Sequence, residues 1–148
     1  MAQLRLEIVT AERVVYSEDV DVIVTPGVDG QLSILPNHAP LLTMLKPGEL
    51  RVVADNQDKS MAVSGGFLEV LGNKATILAD TAEEAVEIDI VRAETALQRA
   101  QERIDAASSD FDLERAMASL RRSQARLVVA RRRGRSRQTM RGTDQASG

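Results

Sequence analysis

The sequence predicts an α+β fold in which a β-sandwich or barrel is followed by an α-helical hairpin. Apolar and polar residues alternate with a period of two over residues 3–80, which is typical of half-buried strands. Turn residues recur about every 8–12 positions in this part of the chain, as they do in all-β domains. After residue 80 the apolar residues recur at the three-and-four spacing that indicates helices.

The strands are predicted from the N-terminus onward. In the first, Leu4, Leu6 and Ile8 alternate with two charged residues. Further strand-like segments follow near residues 14–16, 20–24, 32–34, 50–52, 61–63, 67–71 and 75–79. Pro-Gly, Asp-Gly and Gly-Asn pairs between them mark turns. Gly65 and Gly66 interrupt a strand pattern, which predicts a bulge or a close approach of two backbones.

Two helices follow. Asp89 is a candidate N-cap for the first, and Ser109 or Asp110 for the second. The first helix has the predicted seam Ile90, Ala93, Leu97, Ala100, Ile104 and Ala107, and the second has Leu113, Met117, Leu120, Gln124 and Leu127. The short break between them predicts an antiparallel hairpin. Because an alanine buries little apolar surface, at about 0.8 kcal/mol per CH₂, we expect the hairpin to leave the sandwich at modest cost.

Gly134 is expected to end the second helix. Residues 135–148 are polar and lack periodicity, which predicts a basic, disordered tail. The predicted domains are therefore the sandwich over residues 1–84, the hairpin over 85–134 and the tail over 135–148.

Charge is unevenly distributed along the 148 residues, although the net charge is only −3. Residues 1–112 carry 9 basic and 20 acidic side chains, a net of −11. Residues 113–148 carry 10 basic and 2 acidic side chains, a net of +8. Such asymmetry indicates that the basic segment meets an acidic or anionic partner.

Several function classes find no support in the sequence. The chain has no cysteine and one histidine, His38, so thiol nucleophiles and cysteine or histidine-rich metal sites are excluded. It also lacks the nucleophile-elbow, P-loop and zinc-protease motifs. We expect no metal site and no enzyme activity. The acidic run Glu83, Glu84, Glu87 and Asp89 is interpreted as solvated or helix-start charge.

The sequence also bears on location and on nucleic-acid binding. The N-terminus shows no signal-peptide pattern, and no stretch reaches the roughly 18 apolar residues of a membrane span. We therefore expect a soluble, cytoplasmic protein. Only three aromatic residues are present, which argues against a surface that stacks single-stranded nucleic acid.

Arginines form two stripes beside the helical seams. The stripes comprise Arg92, Arg99 and Arg103 on the first helix and Arg115, Arg122 and Arg126 on the second. Converging guanidinium groups bind phosphate oxygens in a bidentate manner, which suggests an anion site such as one for a nucleotide polyphosphate. The alternative is a solvated face whose arginines pair with Glu94, Glu102 and Glu114, and the pattern alone favours this alternative.

A further run of arginines occupies residues 131–137. Nucleic acid, anionic lipid or an acidic protein surface could all bind it. Because aromatic residues are scarce and recognisable nucleic-acid modules are absent, a protein partner is favoured over nucleic acid.

Three long motifs resemble the epsilon subunits of F-type ATP synthases. They are PGVDGQLSILPNHAPLLTMLKPG at residues 26–48, VSGGFLEV at 63–70 and TILAD at 76–80. The resemblance extends over about residues 3–130. It implies a ten-stranded N-terminal sandwich on the central rotary stalk, in contact with the gamma subunit and the loops of the c-ring. Gln31 and His38 align with positions of those contacts.

The resemblance also implies a regulatory hairpin. In the family the hairpin either folds against the sandwich or extends along gamma, where its basic second helix meets acidic segments of the beta subunits and inhibits ATP hydrolysis. The subunit is non-catalytic, binds no nucleic acid, and is peripheral, reaching the cytoplasmic face of the cell membrane only through the complex. The arginine-rich end after about residue 130 exceeds the usual family length.

Some bacterial members of the family bind ATP on the folded hairpin through the motif I/L-D-x-x-R-A, which the chain matches at residues 88–93. The implied ATP-binding residues are Glu83, Ile88, Asp89, Arg92, Ala93, Arg99, Arg122 and Arg126. No cofactor is required, and ATP is a regulatory ligand. The alternative is a purely structural coupling subunit that binds no nucleotide.

Overall fold

The computed structural model describes residues 2–145, with side chains described as far as residue 131. The strands are β1 (Leu4–Val9), β2 (Val14–Val20), β3 (Val22–Gly27), β4 (Gly30–Ile34), β5 (Leu41–Ala54), β6 (Gln57–Leu71), β7 (Lys74–Ala79) and β8 (Ala82–Glu84). A 3₁₀ turn (Ala85–Glu87) leads to helices α1 (Ile90–Asp105) and α2 (Asp110–Gln145). The predicted order of a sandwich followed by a two-helix hairpin is confirmed.

Two long strands, β5 and β6, are shared by both layers of the sandwich. The C-terminal half of β6 pairs with β7, which pairs with β1 and then β2. The N-terminal half of β6 pairs with β8, and the C-terminal half of β5 pairs with β3, which pairs with β4. Pairing between β5 and β6 is interrupted between Leu45–Gly66 and Pro47–Ser64, at the point where the strands pass from one layer to the other.

The expected number of ten strands is corrected to eight in the described residues. Pro47-Gly48, a predicted turn, lies inside the continuous strand β5, and Gly65-Gly66 lies inside β6. A strand that bends between two layers keeps its hydrogen-bonded partner, so neither strand is divided there.

The alternation predicted for the first strand is confirmed. Leu4, Leu6 and Ile8 each have no more than 1% of their surface exposed. They join the main core between the two layers, with inward residues of the other strands such as Leu50 and Ile77. The large aliphatic side chains of this core supply most of the apolar burial that stabilises the chain.

Tyr16 connects β2 to the other layer. Its ring is buried, with Lys59 Nζ 5.6 Å from the ring centroid, and its hydroxyl donates to Glu18 over 3.1 Å. Burial, with the neighbouring Glu18 carboxylate, raises the pKa of the Tyr16 phenol to about 12. Tyr16 therefore stays neutral throughout the physiological pH range.

The predicted hairpin forms with the predicted caps. The Asp89 side chain accepts a hydrogen bond from the Arg92 backbone N–H over 3.2 Å and so caps α1. The Ser109 hydroxyl accepts from the backbone N–H of Asp112 over 3.1 Å, so Ser109 rather than Asp110 caps α2.

The seam of α1 is largely as predicted, whereas that of α2 is not. Ala93 and Ala100 are buried, but Ile90 at the start of the α1 seam is 43% exposed. On α2, Leu113 and Met117 are more than a third exposed. The buried or half-buried α2 positions at the same spacing are Ala116, Leu120, Ser123, Leu127 and Ala130. Small residues occupy this seam because α2 approaches the alanines of α1 closely.

The second helix continues past Gly134 to Gln145, so it does not end where we expected. A glycine inside a helix costs only about 1 kcal/mol relative to alanine, and no proline lies between residues 110 and 145. Residues 135–145 are therefore helical rather than a disordered tail, and residues 146–148 lie outside the described part of the chain.

The hairpin lies folded against the sandwich. Ala62 of β6 and Ile88 form a second, small core with Ala93 of α1 and with Leu127, Val129 and Ala130 of α2. The helices therefore cover the outer face of the layer that contains β8. Within residues 2–145, neither helix is long and apolar enough to span a membrane.

We predict that Gly66→Ala destabilises the sandwich by about 3 kcal/mol. Gly66 has φ +124°, and a Cβ there would overlap the carbonyl oxygen of Leu78 and lie 2.9 Å from the Ala79 Cα. Gly72→Ala is the control, because Gly72 also has a positive φ, +57°, but no atom within 4 Å of the Cβ that alanine would add. It should cost about 1 kcal/mol. Urea unfolding measures both, and equal losses would contradict the predicted close approach.

Candidate functional site

Two adjoining clefts lie where the hairpin meets the sandwich. The inner cleft, of about 360 Å³, is lined by Ala62, Val63, Ser64, Thr81, Glu83, Ala96, Ser119, Arg122, Ser123 and Arg126. The outer cleft, of about 520 Å³, is lined by Val91, Arg92, Thr95, Ala96, Arg99, Arg103 and Ser119. Ala96 and Ser119 line both, so the two clefts form one continuous concave surface.

This surface brings together five of the eight predicted ATP-binding residues. Glu83, Arg122 and Arg126 line the inner cleft, and Arg92 and Arg99 line the outer one. They come from the end of the sandwich and from both helices. The two arginine stripes therefore converge when the hairpin is folded against the sandwich.

The other three predicted residues support the site rather than line it. Ile88 and Ala93 are buried in the small core, with 7% and 0% of their surfaces exposed. Asp89 caps α1. Together they fix the first turn of α1, which carries Arg92. Their direct contact with ATP stays a prediction.

Arg126 is already paired. Its Nε donates to Glu83 Oε2 over 2.7 Å and its Nη2 to Glu83 Oε1 over 3.3 Å, in a bidentate, partly buried ion pair. Among the side chains that the structure describes, this ion pair joins the end of the sandwich to α2. It holds α2 against the strand that ends the sandwich.

The other arginines of the two clefts have no carboxylate partner among the described side chains. No ion pair within 4.0 Å there involves Arg92, Arg99 or Arg122. The alternative in which the stripes pair with Glu94, Glu102 and Glu114 is therefore not what the structure shows. Unneutralised guanidinium groups at a concave surface favour an anionic ligand.

The arginine surface continues beyond the predicted residues. Arg103 lines the outer cleft and also a third cleft near the hairpin turn, of about 490 Å³, which Arg115 and Arg122 share. Arg103 and Arg115 belong to the arginine stripes predicted from the sequence, but not to the eight ATP-binding residues that the family resemblance implies. Within the described part of the chain, no three His, Cys, Asp or Glu side chains are grouped as a metal ion requires.

The two predicted interface residues lie apart. Gln31 is exposed at the start of β4, opposite Pro26. His38 is half-buried in the loop after β4, where its Nδ1 lies 2.7 Å from the carbonyl oxygen of Ala39. The structure therefore places them at opposite ends of β4, and their contacts with other subunits stay predictions.

One exposed apolar surface was not predicted from the sequence. Met44, Phe67 and Leu78 are cross-strand neighbours on β5, β6 and β7, on the outer face of the layer that the hairpin leaves uncovered. They are 54%, 47% and 55% exposed, and Leu42 nearby is 71% exposed. We call these four residues the apolar patch. The outward position in each strand pattern is the signal that could have revealed it.

Comparison with known proteins gives consistent matches. Residues 3–85 match the family "ATP synthase, Delta/Epsilon chain, beta-sandwich domain", and residues 87–131 match the "long alpha-helix domain" of the same chains. An ATP synthase epsilon chain from Herpetosiphon aurantiacus is 54% identical over 128 residues, covering 86% of this chain and 94% of the relative. One from Roseiflexus is 62% identical over 93 residues, covering 63% and 67%.

A solved structure shares the fold. A chain of the Euglena gracilis mitochondrial ATP synthase, in a structure of its OSCP, F1 and c-ring parts, aligns with a TM-score of 0.76 and 22% identity. The alignment covers 84% of this chain and 79% of the other.

We predict that Glu83 and Arg126 are energetically coupled by about 1 kcal/mol. A double-mutant cycle with Glu83→Gln and Arg126→Gln, followed by urea unfolding, measures the coupling. The exposed pair Arg5–Asp19, at 3.4 Å, serves as the matched control and should couple by less than about 0.5 kcal/mol. Equal coupling in both pairs would contradict the role of the Glu83–Arg126 pair in holding the hairpin.

Proposed function

Because the chain belongs to the epsilon-chain family of the ATP synthases, we propose that it is a central-stalk subunit of an F-type ATP synthase. In this proposal it couples the catalytic head to the c-ring and regulates ATP hydrolysis through the position of its hairpin. It acts at the cytoplasmic face of the membrane and is attached there only through the complex. The observation that supports the regulatory part is the arginine-lined surface between hairpin and sandwich.

The coupling role rests on the sandwich. The apolar patch offers an uncovered surface for the gamma subunit, because exposed apolar neighbours on one sheet face are typical of protein contacts. The loop that carries His38 and the strand that begins near Gln31 are the proposed contacts with the loops of the c-ring. The hairpin covers the opposite layer and leaves these surfaces free.

We assign ATP to the two adjoining clefts. Arg92, Arg99 and Arg122 have no carboxylate partner among the described side chains, so they are available for the phosphate oxygens. Arg126 is held by Glu83, and its primary effect is to keep α2 in position. ATP is a regulatory ligand here, and the chain itself catalyses no reaction.

Regulation follows from a population shift. ATP stabilises the folded hairpin only to the extent that it binds this state more tightly than the extended one. The inner cleft needs residues from both the sandwich and the hairpin, so an extended hairpin loses it. When ATP falls, the basic α2 is released toward acidic segments of the beta subunits, and ATP hydrolysis is inhibited.

A second candidate is a purely structural coupling subunit. The Glu83–Arg126 pair favours it, because this pair holds the hairpin without any ligand. The two candidates differ only in whether nucleotide changes the hairpin's stability, and calorimetry separates them.

We predict that the isolated chain binds ATP and that Arg92→Ala and Arg122→Ala each weaken binding about tenfold or more, because each loses a charge-assisted bond to phosphate. Arg121→Ala is the matched control, since Arg121 is exposed on α2 and lines none of the three clefts. Isothermal titration calorimetry measures all three variants. Absence of binding at millimolar ATP would favour the structural candidate.

We predict that Phe67→Glu weakens binding to the gamma subunit about tenfold or more, because it places a charge at the centre of the apolar patch. Val14→Glu is the control, since Val14 is also exposed, at 59%, but lies on β2, which β1 separates from the strands of the apolar patch. Titration of purified gamma measures both. Equal affinities would exclude the apolar patch as the gamma contact.

A further inference from the structure

The turn between β6 and β7 holds two other segments of the chain through a single residue. Asn73 Oδ1 accepts a hydrogen bond from the backbone N–H of Asn37 over 2.8 Å. Asn73 Nδ2 donates to the backbone carbonyl of Gln3 over 2.9 Å. The Asn73 carbonyl accepts from the N–H of Arg5 over 3.1 Å. Asn73 thus connects the turn, the N-terminal segment and the loop after β4.

The side chain at this position must both accept and donate, and the backbone must be left-handed. Gly72 and Asn73 have φ values of +57° and +59°, which are typical of the type I′ turns of β-hairpins. Asparagine tolerates this conformation and carries one acceptor and one donor group. Aspartate at this position would lack the donor, and glycine would lack both groups.

The loop held by Asn73 carries His38. Asn37 itself has φ +63°, and the His38 N–H donates to the Leu35 carbonyl over 3.2 Å. Prolines at positions 36 and 40 restrict the backbone on either side. Leu35 is 53% exposed, so the loop presents an apolar residue to the surroundings together with His38. The bond from Asn37 to Asn73 ties the middle of this loop to the β6–β7 turn.

We propose that Asn73 is a positioning residue that fixes the His38 loop in the conformation that contacts the c-ring. The proposal rests on the ring contact of His38 in the proposed function. Asn73 itself does not touch the ring. It reduces the number of conformations of the loop before docking, so that less conformational entropy is lost on contact.

The first experiment uses the isolated chain. Asn73→Gly keeps the left-handed turn but removes both side-chain bonds, and we expect the Asn37 amide to exchange with solvent about tenfold faster. Because His38 is the only histidine, its ring gives a single set of NMR resonances, which should shift or broaden. Unchanged exchange and unchanged resonances would overturn the proposal.

Two further variants separate this effect from simple destabilisation. Asn73→Asp keeps the acceptor for Asn37 but loses the donor to Gln3, so the Asn37 amide should remain protected. Asn56→Gly is the matched control, because Asn56 also lies in a two-residue turn, with φ +62°, and its side chain makes no hydrogen bond to the described residues around it. Asn56→Gly should leave the His38 resonances in place. An equal effect of Asn56→Gly would overturn the proposal.

The second experiment uses the assembled enzyme in inverted membrane vesicles, with ATP-driven proton pumping measured against ATP hydrolysis. We expect Asn73→Gly to lower the pumping obtained per ATP severalfold, Asn73→Asp and Asn56→Gly to leave it unchanged, and His38→Ala to lower it as Asn73→Gly does. A loss with His38→Ala but none with Asn73→Gly would overturn the positioning role alone. No loss with His38→Ala would overturn the ring contact of the proposed function and the role of Asn73 in it.

Discussion

Alanine supplies half of the buried residues in the small core that joins the hairpin to the sandwich. Ala62, Ala93 and Ala130 form much of the small core, whereas the core between the sheet layers is built from leucine, isoleucine and valine. Because apolar stabilisation scales with buried area, we expect the hairpin to be held less strongly against the sandwich than the two layers of the sandwich are held to each other. A regulatory hairpin needs this difference, since a ligand of ordinary affinity can shift only an equilibrium that is nearly balanced.

The Glu83–Arg126 pair gives this weak contact a defined geometry. An exposed ion pair adds little stability, but a bidentate and partly buried one fixes the direction of both side chains. It therefore holds the face of α2 that carries Arg122 toward the cleft without adding much to the total free energy. The family resemblance singles out both residues, but only the fold shows that they bind each other and leave the other cleft arginines free of carboxylates in the described part of the chain.

Local patterns were sufficient for most of the fold. The caps Asp89 and Ser109 and the alternation in β1 depend on neighbouring residues, so the sequence contains them directly. The seam of α2 depends on the partner helix, and two apolar stripes of the same spacing compete on α2. Packing against the alanines of α1 selects the stripe with small residues, Ala116 and Ser123 among them. The continuity of β5 and β6 likewise depends on pairing between residues that are distant in sequence.

The proposed functional surfaces also differ in whether they depend on single residues or on residues that are distant in sequence. The arginines could be predicted because each carries its chemistry in its own side chain, whereas the apolar patch consists of ordinary strand residues whose alignment across three strands creates the surface. Asn73 is a third case, in which a turn residue that any hairpin could use becomes specific because two other segments lie beside it. The uneven charge of the chain coincides approximately with the boundary between the two helices. Residues 1–112 carry −11, and residues 113–148, which begin within the first turn of α2, carry +8, so the helix proposed to be released is also the part of the chain that an acidic partner would attract.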